Sequence, residues 1–251
     1  MKKIRDIRIF KRTEKKYMIS EEQRSLFLSK ISSRLLEDQF PHGTVTSLYL
    51  DTPSRLLIRR SIEGGPYKEK LRLRGYGRVS EDSIVYLELK KKYKGTVYKR
   101  RSAMTLREAK EYFKKEQLNE DSQINHELDY AMHLYGMPKP YIAIIYERDA
   151  YVAEEDAGVR ITFDSNIRYR CDDLFSAFGG DGERILPEGS LIMEIKCEGA
   201  MPLWLAHVLD EMRIFPTSFS KYGRSYINEL NKSKRGTENA SFVWIYNEGR
   251  I

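Results

Sequence analysis

Long basic side chains recur at every second position in several short segments of this sequence. In the segment Lys70-Leu-Arg-Leu-Arg74, three cations alternate with two leucines. Because successive side chains of a β-strand point to opposite faces, the cations share one face and the leucines share the other. The same alternation places further cations on strand faces: Arg12, Lys16, Lys90, Lys99, Arg101, Arg160 and Lys196. Such side chains bind phosphate groups, so the pattern indicates a ligand that carries several phosphates.

Carboxylates share the faces of these cations. They are Glu14, Glu88, Asp164 and Glu194. Carboxylate oxygens are suitable ligands for Mg²⁺ or Mn²⁺, and such an ion is commonly shared with the phosphates of a substrate. A surface that only contacted the backbone of a nucleic acid would have little use for carboxylates. The combination therefore predicts a phosphate site that also accommodates a divalent metal ion.

The elements that carry these residues are predicted to be antiparallel β-strands. Any one charged strand face is most simply a solvent-exposed face of a sheet. Several together are different, because like charges on neighbouring strands repel each other unless an anion or an interleaved carboxylate relieves them. We therefore predict an α+β fold built on a closed antiparallel β-barrel, with a charged lumen and flanking helices that cover the apolar outer surface.

Helices are predicted where capping signals precede amphipathic segments. They are Glu21–Glu37, Leu106–Lys115, Asp121–Leu134, a segment from Pro202 to Met212, and Ser218–Leu230. No Pro/Ser-rich linker divides the sequence. Residues 1–231 are therefore predicted to form one catalytic domain, and residues 232–251 a polar tether with a short apolar segment at Phe242–Tyr246.

The composition excludes several classes of protein. The chain has 251 residues, of which 41% are hydrophobic, and a formal net charge of +7. The longest apolar run, Tyr141–Tyr146, is far shorter than the roughly 20 residues of a membrane-spanning helix, and no apolar leader is recognised. We therefore expect a cytoplasmic protein without a transmembrane segment. Its two cysteines, Cys171 and Cys197, are expected to be reduced and packed.

A set of ordered motifs carries a family resemblance. The motifs are Lys11-Arg-Thr-Glu-Lys-Lys-Tyr17, Ser47-Leu-Tyr-Leu-Asp-Thr-Pro53, Lys70-Leu-Arg-Leu-Arg-Gly-Tyr-Gly77, Leu87-Glu-Leu-Lys-Lys-Lys92, Tyr98-Lys-Arg-Arg101, Tyr146-Glu-Arg-Asp-Ala-Tyr151, Val159-Arg-Ile-Thr-Phe-Asp164, Leu191-Ile-Met-Glu-Ile-Lys196 and Phe219-Ser-Lys-Tyr222. Each is weak alone, but the ordered set is specific. From about Phe10 to about Leu230 the sequence resembles the VTC domain, the polyphosphate polymerase branch of the triphosphate tunnel metalloenzymes.

The resemblance implies a tunnel of antiparallel strands that uses ATP and Mn²⁺ or Mg²⁺ to elongate polyphosphate. It implies catalytic cations at Lys16, Arg72, Arg74, Lys90, Arg148 and Arg160. It implies further phosphate-binding groups at Lys99, Arg101, Ser220 and Lys221, and the alternation of the strand faces adds Arg12, Lys70 and Lys196. The metal carboxylate of the family corresponds to Glu194, with Glu14 and Glu88 as auxiliary metal or orienting groups.

The sequence departs from the wider superfamily at its first motif. Hydrolase and cyclase members begin with a Glu-x-Glu-x-Lys pattern, whereas this chain has Arg12-Thr-Glu14-Lys-Lys16. A cation in place of the first carboxylate removes a metal ligand and adds a phosphate-binding group. This departure favours the polymerase branch over a triphosphatase.

The leading hypothesis is therefore an ATP-dependent polyphosphate polymerase, with ATP and polyphosphate as its partners and no nucleic acid expected. One alternative is a metal-dependent triphosphatase that acts on inorganic triphosphate or nucleoside triphosphates in the same tunnel. Another is a non-catalytic module that binds polyphosphate, or a nucleic-acid-binding β-domain that uses its cations for phosphate contacts. The clusters at Arg72/Arg74 and Lys99-Arg-Arg101 are compatible with either the γ-phosphate or the growing chain.

Overall fold

Nine strands and six α-helices make up the part of the chain that the computed structural model describes, which is residues 12–94, 96–115, 122–155, 158–176, 178 and 180–235. The strands are β1 (Arg12–Ser20), β2 (Leu35–Asp51), β3 (Tyr67–Tyr76), β4 (Ile84–Tyr93), β5 (Thr96–Thr105), β6 (Lys139–Ala153), β7 (Arg160–Arg170), β8 (Glu183–Arg184) and β9 (Ser190–Glu198). The helices are α1 (Glu21–Ile31), α2 (Leu56–Glu63), α3 (Leu106–Lys115), α4 (Gln123–Leu134), α5 (Leu203–Glu211) and α6 (Lys221–Arg235).

The strands form a single antiparallel sheet in the order β1-β9-β7-β6-β2-β3-β4-β5, with β8 beside β7. The prediction of a closed barrel was wrong, because within the described residues no ladder joins β5 to β1. Hydrogen-bonded strands lie about 4.8 Å apart. A ladder between β5 and β1 would therefore place the basic side chains of the two edge strands next to each other, where they repel. A side-chain contact links β1 to β4, the strand next to the β5 edge, since Lys90 Nζ lies 3.9 Å from Glu14 Oε2.

The apolar faces of the strands form two outer cores, as the alternation predicted. On one side, Leu71, Leu73 and Leu87 are completely buried beneath α3 and α4. On the other side, Phe163 and Met193 are completely buried beneath α1 and α5. Because helices cover the outside of the sheet, its charged side chains are left on the opposite, concave face.

Part of the concave face is also apolar. In this apolar part, strand residues such as Ile142 and Ile144 pack against Ile58 of α2 and against Tyr222 and Tyr226 of α6. The buried Asp51 carboxylate holds the two helices to β2, since it accepts hydrogen bonds from the backbone N–H of Ile58 (3.0 Å) and from the Tyr222 hydroxyl (2.7 Å). The two helices therefore cover this apolar part and leave the polar part of the concave face beside them.

Local signals predicted most helices but not their ends. Helix α3 has the predicted bounds, and α1 begins at the predicted capping box of Ser20 and Gln23. The prediction that α1 reaches Glu37 was wrong, because it ends at Ile31 and Glu37 pairs with Tyr151 in the sheet. Helix α2 was not predicted.

The C-terminal prediction was only partly tested. Helix α6 extends to Arg235, so the first residues of the predicted tether are helical. The apolar segment Phe242–Tyr246 lies outside the described residues. Of the two cysteines, Cys197 packs in an outer core and Cys171 is partly buried. Within the described residues, no helix has the length and apolar character needed to cross a membrane.

A basic concave face as the candidate active site

The concave face carries the predicted site residues on seven neighbouring strands. In order across the sheet they are Glu14 and Lys16 (β1), Glu194 and Lys196 (β9), Arg160 (β7), Arg148 (β6), Lys70, Arg72 and Arg74 (β3), Glu88 and Lys90 (β4), and Lys99 and Arg101 (β5), with β2 between β6 and β3. Arg12 is the first residue of β1, opposite Glu198. These side chains form clusters around buried carboxylates.

Glu88 is the centre of the first cluster. Only 1% of its side chain is exposed, and its oxygens lie 2.6 Å from Arg72, 2.6 Å from Arg101, 2.8 Å from Lys99 and 3.9 Å from Arg74. Burial raises the pKa of this carboxyl, but the charges of Arg72, Arg74 and Lys99 outweigh that effect and hold the pKa far below its ordinary value. Glu88 therefore stays ionised near neutral pH and holds cations of β3 and β5 together at one point.

Lysines lie directly opposite one another beside this cluster. Lys70, Lys90 and Lys99 are in register on β3, β4 and β5. Like charges in such positions destabilise a sheet. Burial is the largest cause that lowers the pKa of all three ammonium groups, and for Lys70 the result is about 8. A bound polyanion would relieve this repulsion.

A second cluster joins β1 to β9. Lys16 Nζ lies 3.4 Å from Glu14 and 4.0 Å from Glu194, and Lys196 Nζ lies 2.7 Å from Glu194. Burial raises the pKa of the Glu194 carboxyl, but Lys196 and Lys16 lower it more, so that the group stays ionised. Two of the three predicted metal carboxylates thus lie around one lysine, while Glu88 belongs to the other cluster.

The donor atoms near Glu194 fit a metal ion that arrives with phosphate. Glu14 and Glu194 offer carboxylate oxygens, and the buried hydroxyl of Thr162, in register with Glu194, has no hydrogen-bond partner. Within the described residues, however, no group of three or more His, Cys, Asp or Glu side chains is arranged to hold a metal ion. Mg²⁺ is often bound by one or two carboxylates together with substrate phosphates and water, and this donor set fits that mode.

A third cluster surrounds Asp164, whose side chain is completely buried. Arg148 donates two hydrogen bonds to its carboxylate, at 2.6 and 2.8 Å, and Lys221 forms an ion pair with the same group. Burial raises the pKa of this carboxyl, but the charges of Lys221 and Arg148 lower the pKa by more than burial raises it, so Asp164 remains a carboxylate. Both cations also lie over the ring of Tyr146, which fixes their positions.

The segment before α6 reaches across the concave face to two distant strands. Lys16 Nζ donates to the carbonyl of Phe219 (3.4 Å), and Lys70 Nζ donates to the hydroxyl of Ser220 (3.1 Å). The predicted Ser220–Lys221 pair thus lies in contact with cations and a carboxylate of the concave face. Ser220 also accepts a hydrogen bond from the backbone N–H of Gly223, so it is a helix-capping residue as well.

Tyr49 is a site residue that the sequence analysis missed. Its hydroxyl accepts a hydrogen bond from Arg72 (3.2 Å), and its ring stacks on Tyr222 with 4.3 Å between centroids. Burial raises the pKa of Tyr49, but Arg72, Lys70 and Arg74 lower it more, to about 7. The alternation in Ser47-Leu-Tyr-Leu-Asp51 was a usable signal, because it places Ser47 and Tyr49 on the same face.

Arg160 pairs with a carboxylate outside the three clusters, although it lies opposite Lys196 of the second cluster in the sheet. Its Nε is 2.7 Å from Asp38 Oδ2, and 39% of its side chain is exposed. Asp38 was also missed, since it lies in a segment that was predicted to follow directly on a helix. Arg160 therefore lies toward the rim of the concave face.

The comparison with protein families decides the family. The model of the VTC domain matches residues 11–228. This chain belongs to the VTC domain family. The match includes every predicted site residue, from Arg12 to Lys221. A comparison with curated protein sequences finds no significant match.

One solved structure shares the fold of this VTC domain, and a second is reported for its similarity. A candidate adenylyl cyclase from Hippeastrum, described as having a dominant triphosphatase activity, is 19% identical, with a TM-score of 0.51 over 84% of this chain and 94% of that one. A candidate adenylate cyclase from Bacillus halodurans is 15% identical, with a TM-score of 0.49 over 82% of this chain and 92% of that one. At these identities, the likeness concerns the fold alone.

The pKa of Lys70 predicts a pH dependence for this VTC domain. Binding of tripolyphosphate is expected to weaken as the pH rises from about 7 to about 9, because an ammonium with a pKa of about 8 loses its charge in this range. Lys70→Arg stays charged and is expected to keep its affinity. Isothermal titration calorimetry of both proteins across this range measures the difference, and parallel pH profiles would contradict it.

Proposed function

We propose that this VTC-domain protein is an ATP-dependent polyphosphate polymerase that transfers the γ-phosphate of ATP to a growing polyphosphate chain. The observation that carries the proposal is the set of cations from five strands and α6 around the buried carboxylates Glu88, Asp164 and Glu194. Each carboxylate keeps its cations positioned before a ligand binds. A face of this kind neutralises many phosphate charges at once.

The reaction needs little from the protein beyond position and charge. A terminal oxygen of the polyphosphate chain attacks the γ-phosphorus of ATP, the bond between that phosphorus and the β,γ-bridging oxygen breaks, and ADP leaves with the electron pair. The attacking oxygen is already anionic near neutral pH, so no general base is required. Cations that hold the acceptor and donor phosphates in line supply most of the catalysis.

The residues divide into proposed roles. The catalytic cations are Lys16, Arg72, Arg74, Lys90, Arg148 and Arg160, and the remaining phosphate contacts are Arg12, Lys70, Lys99, Arg101, Lys196, Ser220 and Lys221. Glu194, with Glu14, would hold a divalent metal, which supplies further charge neutralisation at the phosphates when bound. For Glu88 the ion pairs with Arg72 and Arg101 favour an orienting role over metal binding.

A triphosphatase is the second candidate. The Hippeastrum structure, whose fold this chain shares, is described as having a dominant triphosphatase activity. Water in place of the chain end would convert the same transfer into hydrolysis. The basic residue Arg12, in place of the first carboxylate of the hydrolase pattern, supports the polymerase over this alternative.

The test is product analysis with the full chain. Purified protein is incubated with ATP, Mn²⁺ or Mg²⁺ and a short polyphosphate primer, and the products are resolved by gel electrophoresis beside assays for ADP and orthophosphate. The proposal predicts long polyphosphate with stoichiometric ADP. Orthophosphate without chain growth would instead identify a triphosphatase. If neither polyphosphate nor orthophosphate forms, both activities are excluded. A variant with Arg148→Gln, which loses the contact with Asp164, serves as the inactive control.

A further inference from the structure

A basic cleft lies at the margin of the concave face, between the edge strand β5 and the start of α4. Its volume is about 420 Å³. It is lined by Lys99, Arg100, Arg101, Gln123, Ile124 and Glu127. The cleft thus contains three consecutive cations of β5 and one carboxylate. Arg100 lies in a motif of the family resemblance, but its side chain belongs to none of the three carboxylate clusters, and neither the resemblance nor those clusters include the α4 residues.

Two of the lining cations also belong to the concave face. Lys99 and Arg101 are ion-paired with Glu88, yet 46% and 35% of their side chains are exposed. Arg100 lies on the other face of β5, where its Nε is 2.6 Å from Glu127. In the described part of the chain β5 is the last strand of the ladder. The cations of its two faces therefore meet around one strand edge, and the charge of the concave face continues into the cleft.

The lining distinguishes between possible ligands. Sites for single-stranded nucleic acid usually include aromatic side chains on which bases stack, and none of the residues that line this cleft is aromatic. A phosphate chain has no bases and needs only cations along its path. We propose that the cleft is a second phosphate-binding subsite, which holds the distal part of a polyphosphate chain whose end lies on the concave face. The proposal rests on the proposed function, since it extends the same ligand beyond that face.

Chain length separates this subsite from the concave face. Arg100→Gln removes a cation from the cleft and Gln123→Glu adds an anion, and neither residue contacts the carboxylate clusters. Each variant is expected to weaken the binding of long-chain polyphosphate by up to about fivefold, because an exposed ion pair contributes up to about that factor. Tripolyphosphate, which is short enough to lie on the concave face alone, is expected to bind as it does to the unmodified protein.

Two further variants complete the design. Glu127→Gln removes the only carboxylate among the lining residues and is expected to strengthen long-chain binding. Arg107→Gln is the matched control, because Arg107 is an exposed arginine of α3 that pairs with Asp82 at 3.0 Å and does not line the cleft. It loses the same charge and should leave both affinities unchanged. Dissociation constants are measured by calorimetry at low ionic strength, with long-chain polyphosphate, tripolyphosphate and single-stranded DNA as ligands.

Each pattern of results has one meaning. Unchanged long-chain affinity in Arg100→Gln and Gln123→Glu would overturn the subsite but not the proposed function, provided that the unmodified protein binds tripolyphosphate. Equal weakening of both phosphate ligands would also overturn the subsite, since the cleft would then act through the concave face. A loss confined to DNA binding would identify a nucleic-acid site instead. An unmodified protein that binds neither tripolyphosphate nor ATP would overturn the proposed function as well.

Discussion

Replacing Glu88 with glutamine is expected to lower the melting temperature by roughly 5–20 °C. The carboxylate is almost completely buried and pairs with cations of β3 and β5. Removing one partner of a buried ion pair costs about 3–5 kcal/mol, and each kcal/mol shifts the melting temperature of a chain of this size by about 2–4 °C. Arg72, Lys99 and Arg101 would then repel one another without a counter-charge. Differential scanning fluorimetry at low ionic strength measures the change.

The rise in melting temperature on adding tripolyphosphate is a second measurement on the same variant, and a merely structural role of Glu88 would not change it. Tripolyphosphate is expected to raise the melting temperature of the unmodified protein, since a ligand that binds only the folded state stabilises it. The rise should be larger in Glu88→Gln, because the ligand replaces the missing negative charge. Glu155→Gln is the control, since Glu155 is a largely exposed partner of Arg34. Equal ligand-induced shifts in all three proteins would show that Glu88 is not the counter-charge of the phosphate-binding cations.

Glu194→Gln is expected to reduce metal-dependent turnover by at least about 100-fold, the usual effect of losing a group that stabilises the transition state electrostatically. Glu194 lies near Glu14 and beside the Thr162 hydroxyl, so it is the group best placed to share a metal ion with substrate phosphates. Loss of its charge should also leave Lys16 and Lys196 more available to phosphate. Without metal, tripolyphosphate is therefore expected to bind the variant at least as tightly as it binds the unmodified protein.

Opposite effects on turnover and on metal-free binding distinguish a metal role from a structural one. Steady-state rates across a series of Mn²⁺ concentrations give the first effect, and calorimetry in the presence of EDTA gives the second. Glu188→Gln is the control, because Glu188 is an exposed carboxylate that pairs with Arg184. Full turnover in Glu194→Gln would remove this residue from the metal site. Loss of metal-free binding would assign it to the orientation of Lys16 and Lys196 instead.

Strand faces were predictable because the alternation of side chains is a local property. The leucines between Lys70, Arg72 and Arg74 are completely buried, as a period of two residues requires. The closure of the sheet was not predictable in the same way. It depends on the two edge strands, which are distant in sequence, and on the cost of opposing their charges, whereas the alternation is the same in an open sheet and in a barrel.

In the candidate site too, local features were predictable and contacts between distant segments were not. The cations of β3, β4 and β5 could be assigned from their spacing, since neighbouring strands connected by hairpins lie side by side. The contact between Lys70 and Ser220 joins residues 150 positions apart, and only the family resemblance predicted Ser220. Tyr49 was missed because site residues were chosen by their charge, and an isolated tyrosine is neutral near pH 7. Its pKa is lowered only by Arg72, Lys70 and Arg74, which folding brings close to it.

The space between β1 and β5 affects how a polymer can be loaded. A ring closed by backbone hydrogen bonds can be threaded only by a free end. In the described part of the chain no ladder joins these edges, and β1 instead contacts β4, the strand next to β5, through the pair of Lys90 and Glu14 at 3.9 Å. A partly exposed pair of this kind contributes only about 0–1 kcal/mol. An edge without a backbone ladder does not impose this requirement, so a long polymer could be engaged at an internal segment and released without sliding out along its whole length.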